Sequence, residues 1–190
     1  MIDQLMNLIQ ENTQDAVVKN TSVPDEHNEE IQKEILNSIQ GGLSSAISGG
    51  NIGGVMDLFS QGANVQNVSG SLMVNNISQN LIGTLGQKFG LSKEVSENIV
   101  ASVLPLVISK FTKKVADPND TSIDMNSVVK SATDNKMASG VDFNDILGKF
   151  SQGKGADLDL GSITGSLLSG DSGKSGGGII NIISGFFKKR

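Results

Sequence analysis

Apolar residues recur at helical spacing along most of this chain, and their density peaks in one stretch. Between Leu91 and Lys114, LSKEVSENIVASVLPLVISKFTKK, the residues Val95, Ile99, Val103, Val107 and Phe111 come at four-residue intervals, with Val100, Leu104 and Ile108 beside them. Spacings of three and four line one face of a helix. From Ile99 to Ile108 the apolar surface runs most of the way round, which predicts a central helix contacted on several sides. Ser92 is placed to N-cap it, Lys113 and Lys114 suit the negative end of its dipole, and Asp117-Pro118 stops it. Pro105 deletes the hydrogen bond to the Ala101 carbonyl and crowds it, which predicts a bend. Ser71–Phe89 predicts the preceding helix, with Val74, Ile77, Leu81, Leu85 and Phe89 in register. Gly90 tolerates the positive φ of a helix stop, so the two helices should fold back as a tight αα-hairpin. Gly83 and Gly86 predict a close approach to a neighbour.

The same spacing marks the start of the chain. Ile2 to Lys19 predicts an amphipathic helix with Ile2, Leu5, Met6, Ile9, Ala16 and Val17 on one face and a polar gap at Asn12 and Thr13. Pro24 suits the first turn of a second helix, followed by Asp25, Glu26, Glu29 and Glu30 at its positive end. Ile31, Ile35, Ile39 and Leu43 carry its stripe. Gly41 and Gly42 each cost about 1 kcal/mol against alanine inside a helix, which predicts an end or kink there, with Leu43–Ile47 a last turn or two. A short helix follows at Asn51–Gly62, then a loop over Ala63–Gly70.

Beyond Pro118 the pattern thins to short apolar bursts punctuated by glycine and serine, after one weak helix candidate at Asp124–Thr133. The bursts repeat one unit. NIGGVMDLFSQG (51–62), DFNDILGKFSQG (142–153) and DLGSITGSLLSG (159–170) align without gaps. Each opens on Asn or Asp, an N-cap type, carries a narrow apolar stripe and closes on glycine. GIINIISGFFKK (178–189) keeps the apolar spacing and exchanges the glycine stop for lysine. A helix of two or three turns is marginal alone in water, so each unit needs something to pack on.

Composition narrows the class. Of 190 residues, 37% are hydrophobic, 23 are glycine, seven are Phe and none is Trp, Tyr or Cys. That predicts one aliphatic core and a less ordered remainder. A net charge of −5 and a pI near 4.8 argue against nucleic acid as a partner, because a phosphate-binding face is basic. Without cysteine there is no disulfide, thiolate metal site or thiol nucleophile. MIDQLMNLIQEN lacks the features of a secretory signal, and no apolar run approaches the ~20 residues that span a bilayer. Cytoplasmic and soluble is the expectation.

Candidate chemistry is sparse. His27, the only histidine, sits among acids and reads as solvated surface, with no orienting partner for a catalytic role. One histidine and no cysteine leave no zinc site. GDSGKS (170–175) lacks the first glycine of a phosphate loop, because Leu168 stands there, and no strand precedes it. DLDLGS (157–162) lacks the third acid and the closing Glu of a calcium loop. No catalytic residue, cofactor or metal is expected. Ile179–Arg190 is the most distinctive piece outside the core. Ile179, Ile182, Ile183, Phe186 and Phe187 concentrate an apolar face, and Lys188, Lys189 and Arg190 follow. Three fates are open to it: packing on the domain as a last repeat, docking in a groove of its own bundle or a partner, or settling on a membrane surface.

The run GQKFGLSKEVSENIVASVLPLVISKF (86–111), a helix ending at glycine, a Leu-Ser step and a helix with Leu-Pro in its middle, resembles the YidB-like family, a bacterial family of uncharacterised function. The short glycine-punctuated units are also similar, and the helices before Gly50 depart from shorter members. The resemblance implies an all-helical fold and brings no catalytic residue or cofactor. The expected architecture is all-α: a helical bundle over 1–116 around a central helix in an αα-hairpin, then short helical repeats over 117–190. The expected function is a non-enzymatic interaction or assembly module, with an unknown protein partner or self-association. Weak membrane-surface association through 179–190 is the alternative.

Overall fold

The computed structural model of this chain describes residues 2–49, 51–61, 64–117, 126, 127 and 130. Among these residues there is no strand, and the fold is an all-α bundle. Six α-helices follow in order: α1 (Ile2–Asn12), α2 (Asn28–Ser48), α3 (Ile52–Gln61), α4 (Val65–Gly70), α5 (Leu72–Phe89) and α6 (Lys93–Ala116). A π-turn at Gln14–Val18 follows α1, and a 3-10 turn at Asp25–His27 leads into α2. The tail copies at 142–153, 159–170 and 178–189 lie outside the described residues, as does most of the helix candidate at 124–133.

α6 is the centre of the bundle. It packs against α1, α3, α4 and α5 and the π-turn, which is why its apolar residues run round the helix rather than along one stripe. Ile99, Val100, Val103, Leu104, Val107, Ile108 and Phe111 are all buried, and so are Ser96, Ser109 and Thr112. The helix continues through Pro105, whose ring is buried. Ser92 Oγ accepts from the Val95 amide at 3.3 Å and starts α6. Gly90 stops α5 in the left-handed conformation, φ 66°, with its amide donating to the Gly86 carbonyl at 3.1 Å. The αα-hairpin is therefore closed by two adjacent local devices. α6 also revises one expectation. Over Lys93–Val115 its mean hydropathy of 1.2 and its length suffice for a membrane span, although 61% of its most apolar window is buried inside the bundle.

Three further expectations are corrected. α2 runs unbroken through Gly41 and Gly42 to Ser48. A Cβ on Gly42 would stand 2.3 Å from Ile77 Cγ1, so the missing side chain lets α2 lie directly on α5. Packing offsets the intrinsic cost of glycine in a helix. Gly83 meets nothing within 4 Å and Gly86 only the Leu91 carbonyl at 3.5 Å, so the close approach of α5 to its neighbour is made opposite Gly42 instead. Residues 65–70 are helical rather than a loop. Asn64 Oδ1 accepts from the Gln66 amide at 2.9 Å, and fully buried Val68 anchors the single turn.

The polar gap at Asn12 and Thr13 is a junction of three helices. Thr13 is 0% exposed, and its hydroxyl accepts a hydrogen bond from Gln32 Nε2 of α2 at 2.9 Å. Lys110 of α6 reaches Asn12 Oδ1 at 2.6 Å. The π-turn that follows carries the Val18 amide back to the Thr13 carbonyl and leaves Val17 buried. A buried donor stripped of its acceptor costs about 1–3 kcal/mol. Thr13→Val should therefore destabilise by about that much, and adding Gln32→Met should recover most of the loss. Urea unfolding of the two single variants and the double variant measures the coupling, and additive losses would mean the pair is not coupled.

A surface link joins α2 to α5. Lys88 Nζ lies 2.9 Å from Glu34 Oε2, and the hydrogen bond to Glu34, then its charge, raises the Lys88 pKa. The stabilisation is complete below the ordinary lysine value and is lost as pH rises through the raised one. Lys33, bonded to Glu29, lowers that carboxyl, so its contribution is present above the ordinary carboxylate value and is lost as pH falls through the lowered one. The stability gap between the native chain and Lys88→Met should persist through neutral pH up to the ordinary lysine value of 10.5 and close only as pH rises through the raised one. It should shrink at about 1 M salt, where screening acts within about 3 Å. Urea titrations at each pH read both effects.

Candidate interaction surface

The first repeat unit shows how a short amphipathic helix is held in this bundle. Asn51 Oδ1 accepts from the Gly54 amide at 3.1 Å and caps α3. Val55, Met56, Leu58 and Phe59 are buried against α6 and α2, and the Phe59 ring meets Phe111 edge-on with centroids 5.8 Å apart.

Next to α3 the surface is hollow. A groove of about 600 Å³ runs along the seam of α2 and α5, floored by Gly41 and Gly42 and walled by Ser38, Asn76 and Asn80. A second groove of about 450 Å³ lies between α3, α4 and the start of α5, lined by Gly54, Asp57 and Asn67. Asn51, Leu72 and Met73 border both, so the two grooves adjoin as a trough on either side of Leu72. Gly41 leaves this face of α2 open, since a Cβ there would meet nothing within 4 Å, whereas Ile77 of α5 fills the place of a side chain at Gly42. Leu72 is 82% exposed, and the other large exposed hydrophobic, Val65, lies one short helix away at 36%.

Charge is almost absent here. From Ile35 to Gln87, fifty-three residues that include α3, α4 and nearly all of α5, Asp57 is the only charged side chain. The acids and lysines of the bundle sit at α1, the start of α2, the α5–α6 turn and α6. Depletion of charge with an exposed apolar centre is the composition of an interface core rather than of ordinary surface. Reading for helical stripes misses this trough, because Leu72 belongs to no stripe and the lining is Gly, Ser and Asn. The charge-free run was the available signal.

The anticipated contact residues Ile179, Ile182, Ile183, Phe186, Phe187, Lys188, Lys189 and Arg190 lie outside the described residues. His27 corrects its expected place on the solvated surface. Its ring meets Phe89 at a tilt of 54° with centroids 5.4 Å apart, and its side chain is 30% exposed, 4.0 Å from Glu26. It lies at the end of α5, where Lys88 also stands 5.4 Å over the Phe89 ring, and it lines neither of the two grooves. Among the described residues no group of three or more His, Asp or Glu is placed to hold a metal ion. Comparison with protein-family models, with curated proteins and with solved structures finds no match in any of the three.

Proposed function

We propose that this protein is a non-enzymatic interaction or assembly module that receives short amphipathic helices in the trough around Leu72. The observation that carries the reading is the coincidence of an 82% exposed leucine with a groove whose only charged lining residue is Asp57. The repeat units are suited to such a surface. In the copies at 142–153 and 159–170, Lys149 and Ser166 replace the buried Leu58 of α3. Their stripes are narrower than that of α3, and a narrow stripe is satisfied by a shallow groove. Kinship with the YidB-like family belongs to the same proposal, supported by the Gly90–Ser92 turn that closes the α5–α6 hairpin.

The test is light scattering on the full chain over about 10 µM to 1 mM, a range reaching the millimolar effective concentration of tethered segments. The apparent mass should rise from the monomer value of 19.8 kDa, while Leu72→Asp stays at that value. A strict monomer throughout, with no binding of a synthetic 142–153 peptide and no segment of the chain itself seated in the trough, refutes the proposal. The second reading, membrane-surface association, rests on the basic apolar run 179–190. Liposome flotation unaltered by deleting those residues removes it.

A further inference from the structure

We propose that the trough around Leu72 is occupied, within the same chain, by the C-terminal segment Gly178–Arg190. The inference rests on the interaction reading above and names the occupant. Three observations lead to it.

The first is charge. Residues 2–117 hold twelve carboxylates against seven lysines, whereas 178–190 carries Lys188, Lys189 and Arg190 and no acid. The segment's charge is opposite in sign to that of its bundle, Asp57 is the acid at the trough itself, and no cation lines the trough to repel the segment. The bundle's negative charge also opposes an approach to anionic lipid.

The second is fit. Along α5 the trough runs from Ser71 to Asn80, about 14 Å at helical rise, and then turns past Leu72 toward Gly54 and Asn67. A helix of twelve residues is about 18 Å long. Ile179, Ile182, Ile183 and Phe186 fall at spacings that place them on one face of such a helix. Leu72 would project into that face, and the Asn and Ser side chains on either side tolerate its polar edges.

The third is reach. Sixty residues separate Asp117 from Gly178, and even at helical rise they cover about 90 Å. A body of this size has a radius of gyration of about 13 Å, so every point on it is within range. Attachment to the same chain makes the encounter intramolecular, with an effective concentration up to the millimolar range. Below that concentration the segment of the same chain outcompetes that of a second copy. Self-association is then confined to the upper part of the concentration range, where segments of neighbouring copies begin to compete.

Absence of cysteine allows a clean test on the full chain. Ser184→Cys, on the polar side of the segment, carries a nitroxide, and amide intensities are read with the label oxidised and reduced. Amides of Gly42, Asn76 and Asn80 should lose most of their intensity. Those of Lys93 and Glu94, at the start of α6 beyond the far end of α5, should keep more of theirs. The loss should be absent when labelled unenriched chain is mixed with unlabelled isotope-enriched chain, and should vanish with Leu72→Asp or with Phe186→Asp. Leu72 is exposed, so its replacement leaves the bundle folded, and Phe186 is not among the described buried residues that form the bundle core. Loss that appears mainly in the mixed sample makes a second copy the occupant and overturns the proposal, while leaving the interaction reading intact. Unattenuated trough amides also overturn it, and attenuation that requires phosphatidylglycerol vesicles assigns the segment to lipid instead. Both inference and interaction reading fall only if the trough is unattenuated and light scattering shows a strict monomer as well.

Discussion

Leu104→Ala lowers the free energy of unfolding by about 3–4 kcal/mol, within the range for emptying a fully buried leucine site. Leu104 is 0% exposed at the middle of α6, and α6 is gripped by α1, α3, α4 and α5. A site held from several sides collapses poorly around a lost side chain, so cavity cost adds to the lost transfer free energy. The next residue, Pro105, has its φ locked, which further limits local adjustment. Against a typical domain stability of about 5–15 kcal/mol, this loss removes about a fifth or more. The midpoint of thermal unfolding should fall by about 10–20 °C for a bundle of this length. Ser102→Ala, on the exposed side of the same helix, should change stability by less than about 0.5 kcal/mol. Circular dichroism during thermal and urea unfolding reads both variants. A Leu104→Ala loss no larger than that of Ser102→Ala would remove α6 from the centre of the core.

Adjacent glycines in α2 should respond with opposite signs. A Cβ at Gly42 would lie 2.3 Å from Ile77 Cγ1 and 2.4 Å from its Cδ1. Ile77 is itself buried at 4% exposure, so it has little room to turn away. Gly42→Val should therefore push α2 off α5 and cost about 3 kcal/mol, at the upper end of the usual overpacking range. Gly41 is exposed and a Cβ there meets nothing within 4 Å. Gly41→Ala should stabilise by about 0.5–1 kcal/mol, through helix propensity and a less entropic unfolded chain. Urea midpoints of the two variants decide the matter. Equal effects at both positions would show that the close approach of α2 to α5 is not what Gly42 provides.

The α5–α6 hairpin is readable from the residues because each of its determinants is local. Gly90 can take the left-handed conformation, Ser92 can cap the next amide, and the apolar spacing on either side names the faces that meet. The cap of α3 by Asn51 is readable for the same reason. Continuity of α2 through Gly41 and Gly42 is not, because a pair of glycines looks like a break until Ile77 is known to lie against it. The short helix α4 hides behind polar residues, since one cap and one buried valine suffice for a single turn that neighbours hold in place. Asn12 and Thr13 read as a gap in a stripe, yet Gln32, distant in sequence, holds Thr13 in a buried hydrogen bond and Lys110 holds Asn12 at the surface.

The candidate site divides in the same way. Its chemistry is written in the chain as a fifty-three-residue run with one charge, but its shape is not. By itself the pattern of apolar and polar positions determined that the chain is helical, that α6 lies at the centre and where the hairpin turns. Those properties follow from the 3.6-residue period, from capping and from backbone conformation, which act over a few residues. Only the tertiary structure decided that α2 stays straight, that a glycine floor opens beside α5 and that Leu72 stands uncovered above it. Those depend on which side chains meet across helices, and no local period carries that information.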